Sequence, residues 1–184
     1  DLKLMTNKSY VSAQSLLDDS FRLGLKIMAE EFHPDYIIGI WRGGTPVGIA
    51  VQEIMNYHGY PSDHIAIRTS SYTGIEEQSD EIRVHGLHYI IENVNAENSL
   101  LIVDDVFDSG RSIQAVIERI NTLSRRNTPE VVRVATIYYK PGKRKVPITP
   151  DYYIHETEDW LVFPHELEGL TREEVFANKP LALG

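Results

Sequence analysis

Apolar side chains recur along the chain at two spacings, one typical of helices and the other of short buried strands. The N-terminal region predicts a helix that Ser12 caps and that ends before His33-Pro34. Its apolar positions recur at helical spacing: Leu17, Phe21, Leu25, Met28 and Phe32.

A short buried strand is predicted from Tyr36 to Trp41, and a second helix follows it closely. Thr45 is the expected N-cap of that helix, and Pro46 occupies its first position, where a missing N–H group does no harm. One side of the helix is apolar and is expected to face the core: Val47, Ala50, Val51, Ile54 and Met55.

The middle of the chain is less regular. A weak strand is predicted from His64 to Arg68, and the sequence SSYTGIEEQSDE at 70–81 is typical of a polar loop. The apolar stretch from Leu87 to Ile91 fits a strand or a helix equally well, because it is too short to show a period.

The second half repeats the strand–helix pattern more clearly. Ser99 to Asp104 is the most apolar candidate strand, and Val131 to Tyr139 is another, ended by Pro141-Gly142. Thr171 and Glu174 form a capping box before a short terminal helix. The helix between the two strands carries an apolar face: Ile113, Val116, Ile117 and Ile120.

Strands that alternate with helices predict an α/β fold, in which a mostly parallel, twisted sheet is flanked by helices through right-handed crossovers. The sequence contains no internal repeat, low-complexity segment or linker. We therefore expect one domain over residues 1–184.

Composition narrows the classes of function. The formal net charge of −9 disfavours nucleic-acid binding through the general surface. No apolar run reaches the roughly 18 residues of a membrane span. The chain has no cysteine, which excludes disulfides and thiolate chemistry, and we expect no signal peptide. We therefore expect a cytoplasmic protein with no nucleic-acid or membrane partner.

Acidic residues follow the strongest strand directly. Asp104, Asp105 and Asp108 precede the small, polar run Ser109-Gly110-Arg111-Ser112, which opens the next helix. Ligands of parallel α/β sheets bind at the carboxyl ends of strands, and helix N-termini bind phosphate. Paired acids beside a phosphate site suggest a sugar diol or Mg²⁺ between them, and hence a phosphorylated sugar. On these residues alone, a solvated acidic turn is an equally good explanation.

Five segments carry a resemblance to a known family. VDDVFDSGRS at 103–112 resembles the phosphoribosyl pyrophosphate signature of the type I phosphoribosyltransferases, with Ser109 where threonine is usual. WRGG at 41–44 resembles the pyrophosphate loop of the purine branch, and SSYTG at 70–74 resembles its mobile catalytic loop. YYKPG at 138–142 and DWLVFPHE at 159–166 resemble the base-binding segments of xanthine-guanine and hypoxanthine phosphoribosyltransferases.

The resemblance covers roughly residues 36 to 166 and implies both a fold and a reaction. The fold is the type I phosphoribosyltransferase fold, with a small hood built from the chain-terminal segments. The reaction moves the 5-phosphoribosyl group from phosphoribosyl pyrophosphate to hypoxanthine, guanine or xanthine and releases pyrophosphate. The resemblance also implies Mg²⁺ as cofactor and a homodimer or homotetramer.

For the sugar and the metal, the resemblance assigns roles to acidic residues. Asp108 is the candidate general base, which takes a proton from the purine ring. Asp104 and Asp105 face the ribose hydroxyls, directly or through Mg²⁺. Glu166 is placed on the metal-pyrophosphate side, at a position where relatives often have aspartate.

The remaining roles concern phosphates and the sugar. Arg42, Gly43 and Gly44 would bind the leaving pyrophosphate, and a cis peptide bond is implied between Trp41 and Arg42. Ser71 and Tyr72 belong to a loop, Ser70–Glu77, that is expected to close over the sugar. The 5-phosphate site is expected at the start of the helix, in the run Ser109, Gly110, Arg111 and Ser112.

The base is expected to contact Lys140 through the exocyclic oxygen of a 6-oxopurine, and to stack on Trp160. Main-chain groups of Leu161 and Val162 would read the purine edge. A snorkelling surface lysine and a core tryptophan are the structural alternatives for Lys140 and Trp160.

Two other functions remain open on sequence. One is a regulatory protein of the same fold that senses phosphoribosyl pyrophosphate, and the other is transfer to orotate, uracil or adenine. His85 and His88 lack the spacing and acidic residue of a zinc motif, so we expect no zinc site there.

Overall fold

Eight strands form one six-stranded sheet and one separate pair in the computed structural model, which describes residues 8–72 and 81–180. The pair consists of β1 (Lys8–Tyr10) and β8 (Trp160–Val162). The large sheet contains β2 (Tyr36–Trp41), β3 (Asp63–Tyr72), β4 (Glu81–His85), β5 (Ser99–Phe107), β6 (Val131–Tyr139) and β7 (Tyr152–Glu156).

The strands of the large sheet are arranged in the order β4-β3-β2-β5-β6-β7. Only the edge strand β4 runs antiparallel to its neighbour, so the prediction of a mostly parallel α/β sheet is confirmed. The chain runs from β2 to β3 on one side and later places β5 on the other side of β2. In such sheets, ligands bind at the carboxyl ends of the strands where the order reverses.

The described residues form helices on both sides of the sheet, and none of those helices has the length and apolar character needed to cross a membrane. Short 3₁₀ turns cover residues 125–127 and 141–143. The α-helices are α1 (Ala13–Ala29), α2 (Gly44–Tyr57), α3 (His88–Asn93), α4 (Arg111–Ser124) and α5 (Arg172–Asn178).

Helix α1 begins as predicted but buries a different face. The Ser12 hydroxyl accepts a hydrogen bond from the Ser15 N–H group at 3.1 Å, which confirms the N-cap. Leu17 and Leu25, two of the apolar positions that recur at helical spacing, are 43% and 45% exposed. The buried side chains include two polar ones, which break the apolar period that the sequence shows: Leu16, Asp19, Ser20, Leu23 and Ile27.

Helix α2 begins earlier than predicted. Its N-cap is Gly43, and Thr45 lies inside the first turn, where its N–H group donates to the Arg42 carbonyl at 3.1 Å. The prediction of Thr45 as N-cap is therefore wrong, because β2 passes into α2 without an extended linker. The predicted core face is confirmed except at Ile54, which is half-buried.

The middle of the chain contains more strand than its polarity suggests. β3 continues through Ser70 to Tyr72, where it pairs with β4, so both ends of the predicted 70–81 loop are strand. Hairpin pairing satisfies the backbone of these polar residues at the sheet edge. The ambiguous stretch from Leu87 to Ile91 lies mostly in helix α3, which buries Ile90.

Two hydrophobic cores cover the two faces of the large sheet, as expected for a parallel sheet. Helices α1 and α2 pack on one face, and α3 and α4 pack on the other. Strand β5 supplies both cores by alternation, since Leu101 and Val103 point to the first and Leu100 and Ile102 point to the second. Its carboxyl end is thereby held between two packed layers.

The chain-terminal segments form the predicted hood. β1 pairs in parallel with β8, and α5 is tied to β1 because Glu174 accepts hydrogen bonds from Lys8 at 2.6 Å and Tyr10 at 2.9 Å. Thr171 and Glu174 form the predicted capping box of α5. This small unit positions Trp160, the first residue of β8.

Candidate active site

Three strands that are neighbours in the sheet end beside one another, and each is followed by a predicted site residue. Arg42 follows β2, Asp108 follows β5 and Lys140 follows β6. Parallel pairing brings these carboxyl ends to the same edge of the sheet. The structure therefore gathers there residues that are far apart in the sequence.

The turn after β5 builds a cavity of about 170 Å³ at the start of α4. Gly110 adopts a φ of 80° at the N-cap, and a Cβ there would lie 2.5 Å from the Phe107 ring. The N-cap residue Gly110 has no side chain with which to cap α4. The predicted phosphate-binding residues line it together with two acids: Asp104, Asp108, Ser109, Gly110 and Ser112. Arg111 is exposed at the first position of α4, and its N–H group donates to the Ser109 hydroxyl at 3.3 Å.

Asp104 and Asp105 form a close pair of acids at the end of β5. The Asp105 N–H group donates to the Asp104 carboxylate at 2.9 Å. Burial, reinforced by the charge of Asp105, raises the pKa of Asp104 well above its ordinary value. A hydroxylated or cationic ligand beside the two carboxylates would offset both the loss of hydration on burial and the repulsion between their charges.

The turn after β2 touches the same acids. Gly43 lies against Asp105 so closely that a Cβ at Gly43 would be 1.9 Å from the carboxylate Oδ2. Gly44 similarly approaches the Val103 carbonyl, which a Cβ would meet at 2.4 Å. Both glycines are therefore required by close approach of the β2 and β5 turns. The peptide bond between Trp41 and Arg42 is cis, as predicted.

Arg42 is exposed beside these glycines, and Thr45 follows in the first turn of α2. The Thr45 Oγ1 atom is buried without a hydrogen-bond partner among the described residues. The sequence analysis had assigned Thr45 only to capping.

A second cavity, of about 340 Å³, brings together the predicted base-binding residues. The Lys140 ammonium lies 3.8 Å from the Asp108 carboxylate, and the Lys140 residue is only 8% exposed. Trp160 is 51% exposed at the cavity. Lys140 is thus not a snorkelling surface lysine, and Trp160 is not a core residue.

Two further side chains line this cavity that the sequence analysis did not assign to the base. Lys143 belongs to the 3₁₀ turn after Lys140, and Glu158 accepts a hydrogen bond from the Gly142 N–H group at 2.7 Å. Only the fold brings Glu158 to the turn after β6. The sequence offered a weak signal in the basic run that begins at Lys143.

Leu161 and Val162 continue β8 beyond Trp160. Their side chains are buried, so only main-chain groups of these residues are available to a base. The Val162 carbonyl already accepts a hydrogen bond from the Val11 N–H group at 2.9 Å. A second lone pair on that oxygen remains for another donor.

A possible metal centre lies on the Gly43 side of Asp105. Ligand atoms of Asp105, His165 and Glu166 all lie within 4.8 Å of one another. Glu166 is therefore close to Asp105, whereas Asp104 is not part of this group in the described ranges 8–72 and 81–180. His165 adjoins Glu166 in the FPHE segment, and no motif in the sequence indicated it as a ligand.

The donor set fits a divalent cation. Asp105 and Glu166 offer carboxylate oxygens of the kind that Mg²⁺ prefers, and the missing Cβ of Gly43 leaves room for the Asp105 carboxylate. The His165 imidazole is a nitrogen donor, which Mg²⁺ takes less readily.

Ser71 and Tyr72 lie at the end of β3, paired with Ile82 and Glu81 of β4. Ser71 is exposed. Residues 73–80 lie outside the described residues, so the predicted loop closure over the sugar stays a prediction.

The fold has a counterpart among solved structures. A purine phosphoribosyltransferase from Pyrococcus horikoshii superposes with a TM-score of 0.71 at 27% sequence identity, covering 90% of this chain and 98% of that one. The phosphoribosyl transferase domain family matches residues 7–170. The chain belongs to that family, which confirms the resemblance seen in the sequence.

Relatives with assigned names differ in function. A hypoxanthine-guanine phosphoribosyltransferase of Lactococcus lactis is 28% identical over 178 residues, covering 94% of this chain and 87% of that protein. A bifunctional protein PyrR of Corynebacterium diphtheriae is 25% identical over 144 residues, covering 75% and 73%. Family membership is therefore shown, while the base has to be argued from the site.

Proposed function

We propose that this protein transfers the 5-phosphoribosyl group from phosphoribosyl pyrophosphate to a 6-oxopurine. One observation carries the proposal: a carboxylate and an ammonium group, Asp108 and Lys140, lie 3.8 Å apart in a cavity that also exposes Trp160. The P. horikoshii and L. lactis relatives, both named for purine or hypoxanthine-guanine transfer, support it.

The side chains of Asp108 and Lys140 are complementary to the hydrogen-bonding groups on one edge of the purine. O6 and N7 of a 6-oxopurine lie side by side on the same edge. Lys140 has only donors and suits O6, while the Asp108 carboxylate has only acceptors and suits a protonated ring nitrogen. The flat face of Trp160 offers a surface on which the base stacks.

The reaction has a simple balance. A bond forms between the purine N9 and C1′ of the ribose, and the bond from C1′ to the pyrophosphate oxygen breaks. The proton that the purine ring loses goes to Asp108, which acts as general base. The leaving group departs as pyrophosphate.

The remaining predicted residues fit the rest of the substrate. Amide groups at the start of α4, with Ser109 and Ser112, would bind the 5-phosphate, since a helix N-terminus favours anions. The exposed Arg42 guanidinium and the Gly43-Gly44 amides would bind the pyrophosphate. Asp104 would accept hydrogen bonds from the ribose hydroxyls.

A divalent cation is part of the proposal. Asp105 and Glu166 would hold it, and when bound it would neutralise charge on the pyrophosphate. We propose Mg²⁺ as this ion, following the family resemblance, and assembly as a homodimer or homotetramer.

The direct test is release of pyrophosphate from phosphoribosyl pyrophosphate, measured with hypoxanthine, guanine, xanthine, adenine and uracil in turn, with and without Mg²⁺. We expect turnover with at least one 6-oxopurine, dependence on the cation and very slow turnover with adenine. Turnover with uracil or adenine alone would contradict the proposed base specificity but not the transfer reaction.

The second candidate is the regulatory protein of the same fold that the sequence left open. A regulator of this fold would bind phosphoribosyl pyrophosphate without releasing pyrophosphate in the presence of any base. The net charge of −9 and the combination of Lys140 and Trp160 at one cavity favour the enzyme.

A further inference from the structure

The group formed by Asp105, His165 and Glu166 contains a feature that the family resemblance does not supply, namely an imidazole nitrogen beside two carboxylates. We propose that His165 is a metal ligand, and that it makes this site bind first-row transition ions in preference to Mg²⁺. The inference deepens the proposed function, because the same site would hold the cation used in transfer.

The distance between His165 and Asp105 favours a shared ion over a direct bond. Nε2 of His165 lies 3.6 Å from Oδ2 of Asp105. Hydrogen bonds of this type span about 2.7–3.2 Å, so the two atoms are not hydrogen-bonded. Two ligands that each lie about 2.1 Å from one ion are roughly 3–4.2 Å apart. The observed separation falls in that interval.

The packing around the three donors holds them in place. Asp105 lies near the end of the buried strand β5 and is 8% exposed, with its carboxylate packed against Gly43. The His165 ring stacks on the buried Phe163 ring, with an angle of 5° between the planes. The Glu166 N–H group donates to the Phe163 carbonyl at 3.0 Å, which closes a tight turn. Ligands supported in this way need little reorganisation to bind an ion.

The chemistry of the donors sets the preference. Mg²⁺ takes oxygen ligands and retains several waters, whereas imidazole is a good ligand for iron, cobalt, nickel and zinc. A site made of two carboxylates and an imidazole should therefore bind a transition ion more tightly than it binds Mg²⁺. Glutamine at position 165 would remove the nitrogen donor but leave the two carboxylates.

The experiment uses Co²⁺ as the probe, because its visible absorption reports the ligands directly. The full chain is titrated with Co²⁺ in the absence of phosphoribosyl pyrophosphate, and Mg²⁺ is then added as competitor. We expect the wild-type protein to show ligand-field bands and to bind Co²⁺ more tightly than Mg²⁺. No activity is measured, so failure of the proposed transfer reaction would not affect this result.

Two substitutions and a control variant test whether His165 is itself a ligand of the bound ion. His165→Gln should weaken Co²⁺ binding about tenfold or more, since loss of even an outer partner of a metal ligand reduces affinity about 10–100-fold. Its Mg²⁺ affinity should change little, whereas Glu166→Gln should weaken both ions. His88→Gln is the control, because His88 lies 3.1 Å from Glu92 on α3, in another histidine–acid pair.

The proposal is overturned if wild-type protein binds Co²⁺ no more tightly than Mg²⁺, or if His165→Gln leaves the ratio of the two affinities unchanged. In that case His165 only pairs electrostatically with Asp105. Should the His165 variant fail to fold, spectroscopy of the wild-type protein still decides. Nitrogen hyperfine coupling to bound Mn²⁺, measured by electron spin-echo spectroscopy, is expected for the wild type, and its absence would contradict ligation by His165.

Discussion

Asp108 and Lys140 carry opposite charges but differ sharply in exposure. The side chain of Asp108 is 53% exposed at the cavity, whereas that of Lys140 is 10% exposed. The N–H group of Lys140 donates to the Phe107 carbonyl at 2.9 Å, which holds the two turns together. The exposed Asp108 carboxylate is suited to accept a proton from the substrate. The buried Lys140 ammonium group is suited to select the purine that binds.

Replacing Asp108 with asparagine tests the proton transfer. Asp108→Asn keeps the size of the side chain but removes its basicity, so kcat should fall about 10²- to 10⁴-fold. KM should change little, because binding contacts are kept. Steady-state kinetics of pyrophosphate release measure both constants.

Asp18→Asn provides the control, since the Asp18 carboxylate accepts a hydrogen bond from Gln14 on α1 and lines neither site cavity. If Asp108→Asn retains full kcat, Asp108 serves only the start of α4, and another residue must accept the proton.

Replacing Lys140 tests the selection of the base. A charge-assisted hydrogen bond is worth about 1.5–3 kcal/mol, so Lys140→Ala should lower kcat/KM for hypoxanthine by roughly 10- to 100-fold. Adenine presents a donor in place of O6, so its already low kcat/KM should fall much less. The ratio of kcat/KM for hypoxanthine to kcat/KM for adenine should therefore decrease.

The comparison needs kcat/KM for both bases in the wild type, in Lys140→Ala and in Lys26→Ala. Lys26 is a suitable control because its ammonium group donates to the Tyr153 carbonyl, on α1's side of the sheet. An unchanged ratio in Lys140→Ala would mean that Lys140 does not contact the base.

At the scale of elements, the Glu174 carboxylate connects two parts of the hood, α5 and β1. Hydrogen bonds from Lys8, from the Thr171 N–H group and from Tyr10 lower the pKa of Glu174 to about 2. These bonds connect α5 to β1, and β1 in turn pairs with β8, which carries Trp160. A helix of seven residues needs such tertiary support.

The lowered pKa gives a pH dependence with a definite sign. The folded state favours the charged form of Glu174, so its stabilising contribution is full above its ordinary pKa of 4.5 and is lost as pH falls toward about 2. Glu174→Gln should lower the midpoint of urea denaturation at pH 7. The difference from the wild type should shrink as the pH approaches 2.

Glu173→Gln is the matched control, because Glu173 precedes Glu174 in α5 and is exposed. Equal midpoints for Glu174→Gln and the wild type at pH 7 would show that the network contributes nothing measurable to folding.

At the scale of the whole molecule, the sheet separates two cores. Ile27 of α1 belongs to one core and Ile120 of α4 to the other, and both are fully buried. Substitutions at distant sites without shared partners usually add within about 0.3–0.5 kcal/mol. The two cores should therefore respond independently to small cavities.

Ile27→Val and Ile120→Val should each reduce the free energy of unfolding by about 0.5–1.5 kcal/mol. The double variant should show the sum, measured by urea denaturation with all proteins at the same pH. Leu17→Ala, on the exposed face of α1, should have a smaller effect than either. A departure from additivity above about 0.5 kcal/mol would show that the cores are coupled through the sheet.

The sequence by itself determined the strands β2, β5 and β6, the helices α2 and α4 that follow two of them, and the cap of α1. Each of these depends on neighbours in the chain: an apolar run, a helical period, or a hydroxyl placed to accept an N–H bond. The acidic turn at Asp108 was visible for the same reason, because its chemistry lies within ten consecutive residues.

Only the tertiary structure decided which face of α1 is buried, since Asp19 lies among apolar side chains and pairs with His155 of β7. It also decided that Asp105, rather than Asp104, lies beside His165 and Glu166. Contacts of this kind join residues from different elements, and no local period or propensity records them. They depend on how the sheet edge and the hood pack together, which is a property of the whole fold.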